Sequence, residues 1–129
     1  MYQQITLVGN LGNDPEMRFT PNGTAVTNIS VATSNKYTKK DGTKVDETTW
    51  FRVSVWGKSA EAVNSYLKKG SKVLVIGRMT VDKATGGPRV YESGGAWKAS
   101  FEVTASEVKF LDSRSEGQKP AQQDDDIPW

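Results

Sequence analysis

The residues best suited to chemistry lie in Trp50-Phe51-Arg52-Val53-Ser54-Val55-Trp56. At the period of two that a strand imposes, Phe51, Val53 and Val55 share an apolar face, and Trp50, Arg52, Ser54 and Trp56 share the other. Outer faces of strands are ordinarily Thr, Lys, Glu or Ser, so two indoles around a guanidinium call for a cause. Unstacked nucleic-acid bases would lie on the indoles, and the guanidinium would meet phosphate or stack in its turn. Burial of this second face under a helix or another subunit accounts for the same pattern.

A second group surrounds Tyr37. Lys36, Lys39, Lys40 and Lys44 flank it, and Asp41-Gly42 is a hairpin-turn dipeptide, so residues 35–47 read as a two-stranded finger. Four lysines beside a tyrosine fit a loop that grips a polyanion; a solvated lysine-rich tip is the plain alternative. An exposed aromatic ring has little other use in a loop, which favours the first.

Other chemistries lack their residues. The chain has no cysteine and no histidine, which excludes disulfides, thiolate metal sites, Cys or Ser-His nucleophiles and histidine bases. Asp14, Glu16, Asp41, Asp46 and Glu47 are scattered, and none is expected on the face of Trp50 and Trp56. A magnesium-dependent nuclease is therefore disfavoured, and no catalytic residue, metal or cofactor is assigned. The expectation is a binding protein, not an enzyme.

The 129 residues, 36% hydrophobic, allow one modest core and a tail. The net charge of +2 conceals a division: residues 1–111 hold 15 Lys/Arg against 10 Asp/Glu, and residues 112–129 hold 2 against 5. A basic body suits a polyanionic partner. Met1-Tyr2-Gln3-Gln4 is no charged region leading into an apolar run, and no window approaches the ~20 apolar residues of a membrane span. A soluble cytoplasmic protein is expected.

Positioning these groups falls to a series of short elements. Residues 4–8 alternate and end in the turn Gly9-Asn10-Leu11-Gly12-Asn13-Asp14-Pro15; residues 16–19 are extended and close at Pro21-Asn22-Gly23. Residues 24–34 alternate again, with Ala25, Thr27, Ile29, Val31 and Thr33 on one face. After Gly57-Lys58 comes the one expected helix, capped by Ser59, with Ala60, Val63, Tyr66 and Leu67 on its apolar face, Lys68 and Lys69 in its last turn and Gly70 as its stop. The lysine pair suits the helix dipole as well as it suits phosphate. Residues 72–83 form the longest expected strand. A turn at 84–88 leads to Arg89-Val90-Tyr91-Glu92, and residues 97–105 alternate, with Trp97, Ala99, Phe101 and Val103 on the expected core side. Five strands with a helix between the third and fourth is the layout of an all-β OB-fold, a five-stranded Greek-key barrel. On that barrel Trp50, Arg52 and Trp56 fall on a binding face.

The residues also carry a resemblance. Leu7-Val8-Gly9-Asn10-Leu11-Gly12-Asn13-Asp14-Pro15-Glu16, Pro21-Asn22-Gly23, Thr49-Trp50-Phe51-Arg52-Val53, Trp56-Gly57-Lys58 and Tyr66-Leu67-Lys68-Lys69-Gly70-Ser71 resemble the bacterial single-stranded DNA-binding protein family, in order over residues 4–111. Asp124-Asp125-Asp126-Ile127-Pro128-Trp129 is similar to the family's acidic tip, which usually ends in Phe. The resemblance implies a nucleoid-associated homotetramer that wraps single-stranded DNA during replication, recombination and repair. Stacking would fall to Tyr37, Trp50 and Trp56, and backbone contacts to Arg52, Lys58 and Lys69, with Lys36, Lys39, Arg78, Lys83 and Arg89 as further basic contacts. Thr80-Val81-Asp82-Lys83-Ala84 departs from the pattern, since well-known members place arginines and a further tryptophan there; Arg89, Tyr91 and Trp97 are the candidates to replace them. Phe51 stands where relatives often carry His or Tyr at a subunit contact.

The division expected is a DNA-binding domain over residues 1–111, a disordered linker over 112–123 and an interaction tip over 124–129. Consecutive aspartates on a free tail are poorly preorganised for a metal. An apolar end is a liability unless bound, so a docking peptide for replication, repair and recombination proteins is favoured over a solubility tag. About 12 linker residues give a mean reach of ~20 Å, so a partner would dock close to the barrel. An OB-fold RNA-binding protein or a primosomal accessory protein is the alternative, the tip speaking against the latter.

Overall fold

Three strands of this chain are far longer than the others, and the fold follows from how they share a barrel. In the computed structural model, which describes residues 1–111, the order is β1 (Ile5–Leu11), β2 (Glu16–Phe19), β3 (Ala25–Thr38), β4 (Lys44–Trp56), α1 (Lys58–Tyr66), β5 (Lys72–Met79), β6 (Arg89–Ser93) and β7 (Ala96–Phe110). The sheet runs β1-β5-β7-β4-β3-β2, and β1 also pairs with β3 through Asn10↔Ala32 and Leu11↔Val31, which closes a five-stranded barrel. The pairs are antiparallel except β4–β7, which run parallel from Phe51↔Phe101 to Ser54↔Thr104. The helix lies between the third and fourth barrel strands, as expected; β2 and β6 are short additions to β3 and β7.

Inward positions fill the barrel with β-branched and leucine side chains. Leu7, Leu11, Ile29, Val31, Val53, Val55, Val73, Val75 and Val103 are buried together with Val63 and Leu67 from the α1 region. Valine suits a narrow barrel because its stiff, compact side chain packs on a pleated surface. Each such burial contributes roughly 1.5–3 kcal/mol. Thr27, fully buried, donates its hydroxyl to the Ala60 carbonyl at 2.7 Å, so the helix is fastened to β3 without leaving a polar atom unpaired.

Several expected boundaries move. Ser59 does not cap the helix: Gly57, at φ 73°, is the N-cap, and no side chain bonds there. The chain leaves β4 through a left-handed turn that glycine takes without strain, so helix begins before Ser59 is reached. Tyr66 is exposed, its ring centre 6.2 Å from that of Phe110 on the surface, and only Ala60, Val63 and Leu67 face the barrel. The helix ends at Tyr66, which puts Lys68 and Lys69 beyond it; Leu67 turns extended while its N–H still reaches the Val63 carbonyl at 3.1 Å. β5 stops at Met79, short of Lys83, because Asp82 organises a turn, its carboxylate accepting from the Ala84 N–H at 2.8 Å. Trp97, expected in the core, is 72% exposed, and Phe101 is also exposed. The first third of β7 overhangs the barrel and pairs only with β6, so its inward parity has no core to meet.

Among the described residues no helix is long and apolar enough to cross a membrane. The linker and tip, residues 112–129, lie outside the described residues.

Candidate nucleic-acid interface

β4 reaches the interface with both of its faces committed. Val53 and Val55 are buried, which turns Trp50, Arg52 and Trp56 outward; the indoles are 53% and 47% exposed. They stand six residues apart, about 20 Å along an extended strand. Across the β3–β4 ladder Trp50 is paired with Ala32 and Arg52 with Ser30, small neighbours that leave ring and guanidinium uncovered. Arg52 has no ion pair among the described residues. Burial of this face under a helix, one part of the alternative reading, is thereby excluded among the described residues.

Trp50 has a seat. Gly12, in the β1–β2 turn, lies so close to the far edge of the indole that a methyl group there would run into the ring. The turn is fixed by the Gly12 N–H on the Ser30 carbonyl at 2.9 Å. Asp14, from the same turn, accepts the Lys69 N–H at 2.9 Å, which ties the segment after the helix to it.

The outer rows of the sheet can be followed across four strands. Ser30, Arg52 and Glu102 lie in one row, and the Thr80 N–H bonds to the Glu102 carbonyl at its end. Asn28, Ser54, Thr104 and Arg78 make the next. Arg78 therefore joins this face two strands from β4, at a lateral offset of about 10 Å. Lys58 opens the helix two residues beyond Trp56 and is exposed, as are Lys36, Lys39, Lys69 and Lys83. Lys36 and Lys39 belong to the finger, which β3 and β4 build as expected, closed by the Lys39 N–H on the Thr43 carbonyl at 2.8 Å. At its tip the Thr43 backbone N–H, and then its side chain, hold the Asp41 carboxyl below its ordinary value.

Tyr37 is not brought together with Trp50. It pairs with Val45 and, by strand parity, shares the side of Thr33 and Val31, not that of Trp50. Its hydroxyl is 3.3 Å from a Glu47 carboxylate oxygen. It is 43% exposed, so the ring is accessible from the finger's other side.

Where the parallel β4–β7 ladder begins, the two strands part and leave an open cleft of about 200 Å³. Phe51 and Phe101, with ring centres 5.6 Å apart, are the first rung and line it. Ser30, Trp50 and Arg52 line it from β3 and β4, and Arg89, Tyr91 and Ser100 from the β6–β7 hairpin. Of the candidates to replace the fourth-strand contacts, Arg89 and Tyr91 thus stand beside Trp50, whereas Trp97 has the opposite parity on β7. Arg89 is not free: its guanidinium is 3.6 Å from the Glu102 carboxylate and 5.1 Å from the centre of the Tyr91 ring.

Asp46, at the parity of Trp50 on β4, and Glu16, paired with Asn28 in the row of Ser54, correct the expectation that neither lies on this face, and a further carboxylate there is Glu102. Its neighbour Arg52 is 50 residues away in sequence, and only the parallel pairing of β4 with β7 joins them. Tyr91 was recoverable from the alternation Arg89-Val90-Tyr91, which puts a cation and a ring on one side of a short strand. Among the described residues no cluster of three or more Asp or Glu side chains is placed to hold a metal ion.

Residues 2–111 match the model of the single-strand binding protein family. A single-stranded DNA-binding protein of Wolinella succinogenes is 38% identical over 118 residues, 92% of this chain and 69% of the relative. One from Xanthomonas axonopodis pv. citri is 40% identical over 114 residues, 88% of this chain and 60% of its own length. The chain thus spans 60 to 69% of the length of these two relatives. Among solved structures, a deletion mutant of the single-stranded DNA binding protein from Thermus aquaticus aligns with TM-score 0.66 at 30% identity, over 86% of this chain and 51% of that one. A small single-stranded DNA-binding protein from Streptomyces coelicolor aligns with TM-score 0.69 at 23% identity, over 84% of this chain and 93% of that one, a likeness of fold.

Proposed function

The chain belongs to the single-strand binding protein family, and from that premise we propose that it binds single-stranded DNA without strong sequence preference and has no catalytic role. The observation that carries this reading is the outward placement of Trp50, Arg52 and Trp56 on β4, two accessible indoles and between them a guanidinium with no ion pair among the described residues. Each stacked base adds about 1–3 kcal/mol whatever its identity, because every base has a π face. Phosphates displace counterions at Arg52, Lys58, Arg78 and the finger lysines, so affinity falls as salt rises. Duplex DNA competes poorly, since its bases are already stacked and paired.

The finger extends the path, with Tyr37 stacking where the strand passes to the finger's far side. Residues 1–111 form the DNA-binding unit, and residues 112–123 are a linker to a tip, Asp124 to Trp129, that recruits proteins of replication, repair and recombination in the cytoplasm, at the nucleoid. The assembly is a homotetramer. Val8 is half exposed and pairs with the partly exposed Leu74 on the outer side of β1 and β5, an apolar surface suited to a second copy. Light scattering of the full chain tests this, and a monomer at micromolar concentration would refute it.

The deciding experiment is tryptophan fluorescence during titration with an oligothymidylate, beside a duplex and an RNA of equal length, at two salt concentrations. Saturable quenching by the DNA single strand, weakened at the higher salt, is expected. Equal quenching by duplex would refute stacking on β4, and preference for the RNA strand would assign the interface to RNA.

A further inference from the structure

The cleft beside β4 holds more chemistry than a stacking row needs. It combines a second cation and a second accessible aromatic ring with a carboxylate that partly cancels the charge. We propose that the cleft between β4 and the β6–β7 hairpin is a further nucleotide subsite, continuous with the β4 row through Trp50 and Arg52, with Tyr91 as its base platform and Arg89 as its phosphate contact, gated by Glu102. The proposal rests on the reading of the chain as a single-strand binder and adds a position and a control to it.

Four observations converge on it. The walls are those a nucleotide requires: rings at Trp50, Phe101 and Tyr91 for the base, guanidiniums at Arg52 and Arg89 for phosphate, and the Ser100 hydroxyl as a polar neighbour. The cleft is open at about 200 Å³, on the scale of one unpaired base and not of a base pair. Arg89 lies over the Tyr91 ring, so ring and cation form one unit on the same side of β6.

The fourth observation is the state of Arg89 without a ligand. Its pair with Glu102 is long, at 3.6 Å, and Arg89 is 55% exposed, so it is a weak pair that a phosphate can displace. Glu102 is the more enclosed partner, at 18%, and also accepts the Ser100 hydroxyl at 2.8 Å, which holds it in place when Arg89 leaves. A fixed carboxylate next to an exchangeable guanidinium offsets the charge of Arg89 when the cleft is empty and leaves that of Arg52 standing. Binding there therefore contributes less to the salt dependence than a free arginine would.

The test uses the full chain and an oligothymidylate, with affinity measured over a series of salt concentrations and Trp50→Ala as the reference for the β4 face. Tyr91→Ala should weaken binding at least fivefold with an unchanged salt slope, in line with loss of one stacked base. Glu102→Gln keeps the acceptor for Ser100 and frees Arg89; it should bind more tightly at low salt, with a slope steeper by about 0.7, the increment for one more neutralised phosphate on a single strand. Melting curves confirm that each variant is folded. If Trp50→Ala weakens binding while Glu102→Gln leaves affinity and slope as in the parent chain, the subsite is refuted and the proposed function stands. If the parent chain does not bind the oligothymidylate, the proposed function itself fails.

Discussion

Trp50 and Trp97 are both exposed indoles near the start of a long strand's contact with its neighbour, yet their surroundings differ. Trp50 leaves a strand whose opposite face is buried at Val53 and Val55, rests its far edge on Gly12, and has Arg52 two residues along the same side. Trp97 lies on the part of β7 that overhangs the barrel, opposite Glu92 on a five-residue strand, and is the more exposed of the two. Exposure therefore does not mark a binding ring. A ring that stacks usefully has to be held, with a cation placed to take the adjoining phosphate, and only the β4 indole has both.

The largest expected separation between the two is in affinity. Trp50→Ala should weaken binding of an oligothymidylate roughly 5- to 150-fold, the equivalent of about 1–3 kcal/mol for one stacked base, while Trp97→Ala leaves the dissociation constant within twofold. Comparable losses in a fluorescence or anisotropy titration would remove the distinction. Gly12→Ala should fall between them: the barrel stays folded by its melting curve, but the indole is pushed from its seat, so affinity drops by less than in Trp50→Ala and the emission spectrum shifts. An unchanged spectrum would show that the seat is not what holds the ring. Arg52→Ala tests the cation, and its log K against log salt should be shallower by about 0.7.

The smallest effect lies at the finger tip, the region with the least support. The Asp41 carboxyl is held below its ordinary value of 3.8 by the Thr43 backbone N–H and side chain. A lowered value means that the charged form is favoured in the folded tip, so the stabilisation is present above the ordinary value and is lost as pH falls through the lowered one. Amide exchange at Gly42 and Thr43 should therefore speed up relative to the barrel only on acidification past that range. Asp41→Asn should abolish this acid-dependent step, and a step that persists would assign it to another group.

Much of this was legible in the chain. The alternation of Phe51, Val53 and Val55 against Trp50, Arg52 and Trp56 fixes both faces of β4, because a buried face leaves the other one no freedom. The turn dipeptides placed the finger, and the order of strands and helix placed the barrel. What escaped was whatever depends on which strands become neighbours. Trp97 and Phe101 alternate as a core strand should, but parity does not reveal that β7 starts before the barrel does, nor that Phe101 is the first rung of the β4–β7 ladder, at the rim of the barrel. Glu102 is an ordinary outward carboxylate until parallel pairing sets it beside Arg52. The helix cap failed for a local reason: Ser59 satisfies the usual preference, and Gly57 overrides it because the exit from β4 needs a positive φ.

The Gly12 seat has a consequence for how this scaffold can be altered. The finger tip around Gly42 and the Gly94-Gly95 turn lie at the ends of the β3–β4 and β6–β7 hairpins, and residues can be added there without disturbing either strand pair. The β1–β2 turn is different, since one short segment supports the Trp50 ring through Gly12, holds the Lys69 backbone through Asp14 and receives the Gly70 N–H on the Leu11 carbonyl. Lengthening it by a single residue would put all three out of step at once. Tags, labels or loops grafted for engineering belong on the hairpin ends, and this turn has to be carried over intact into any chimera.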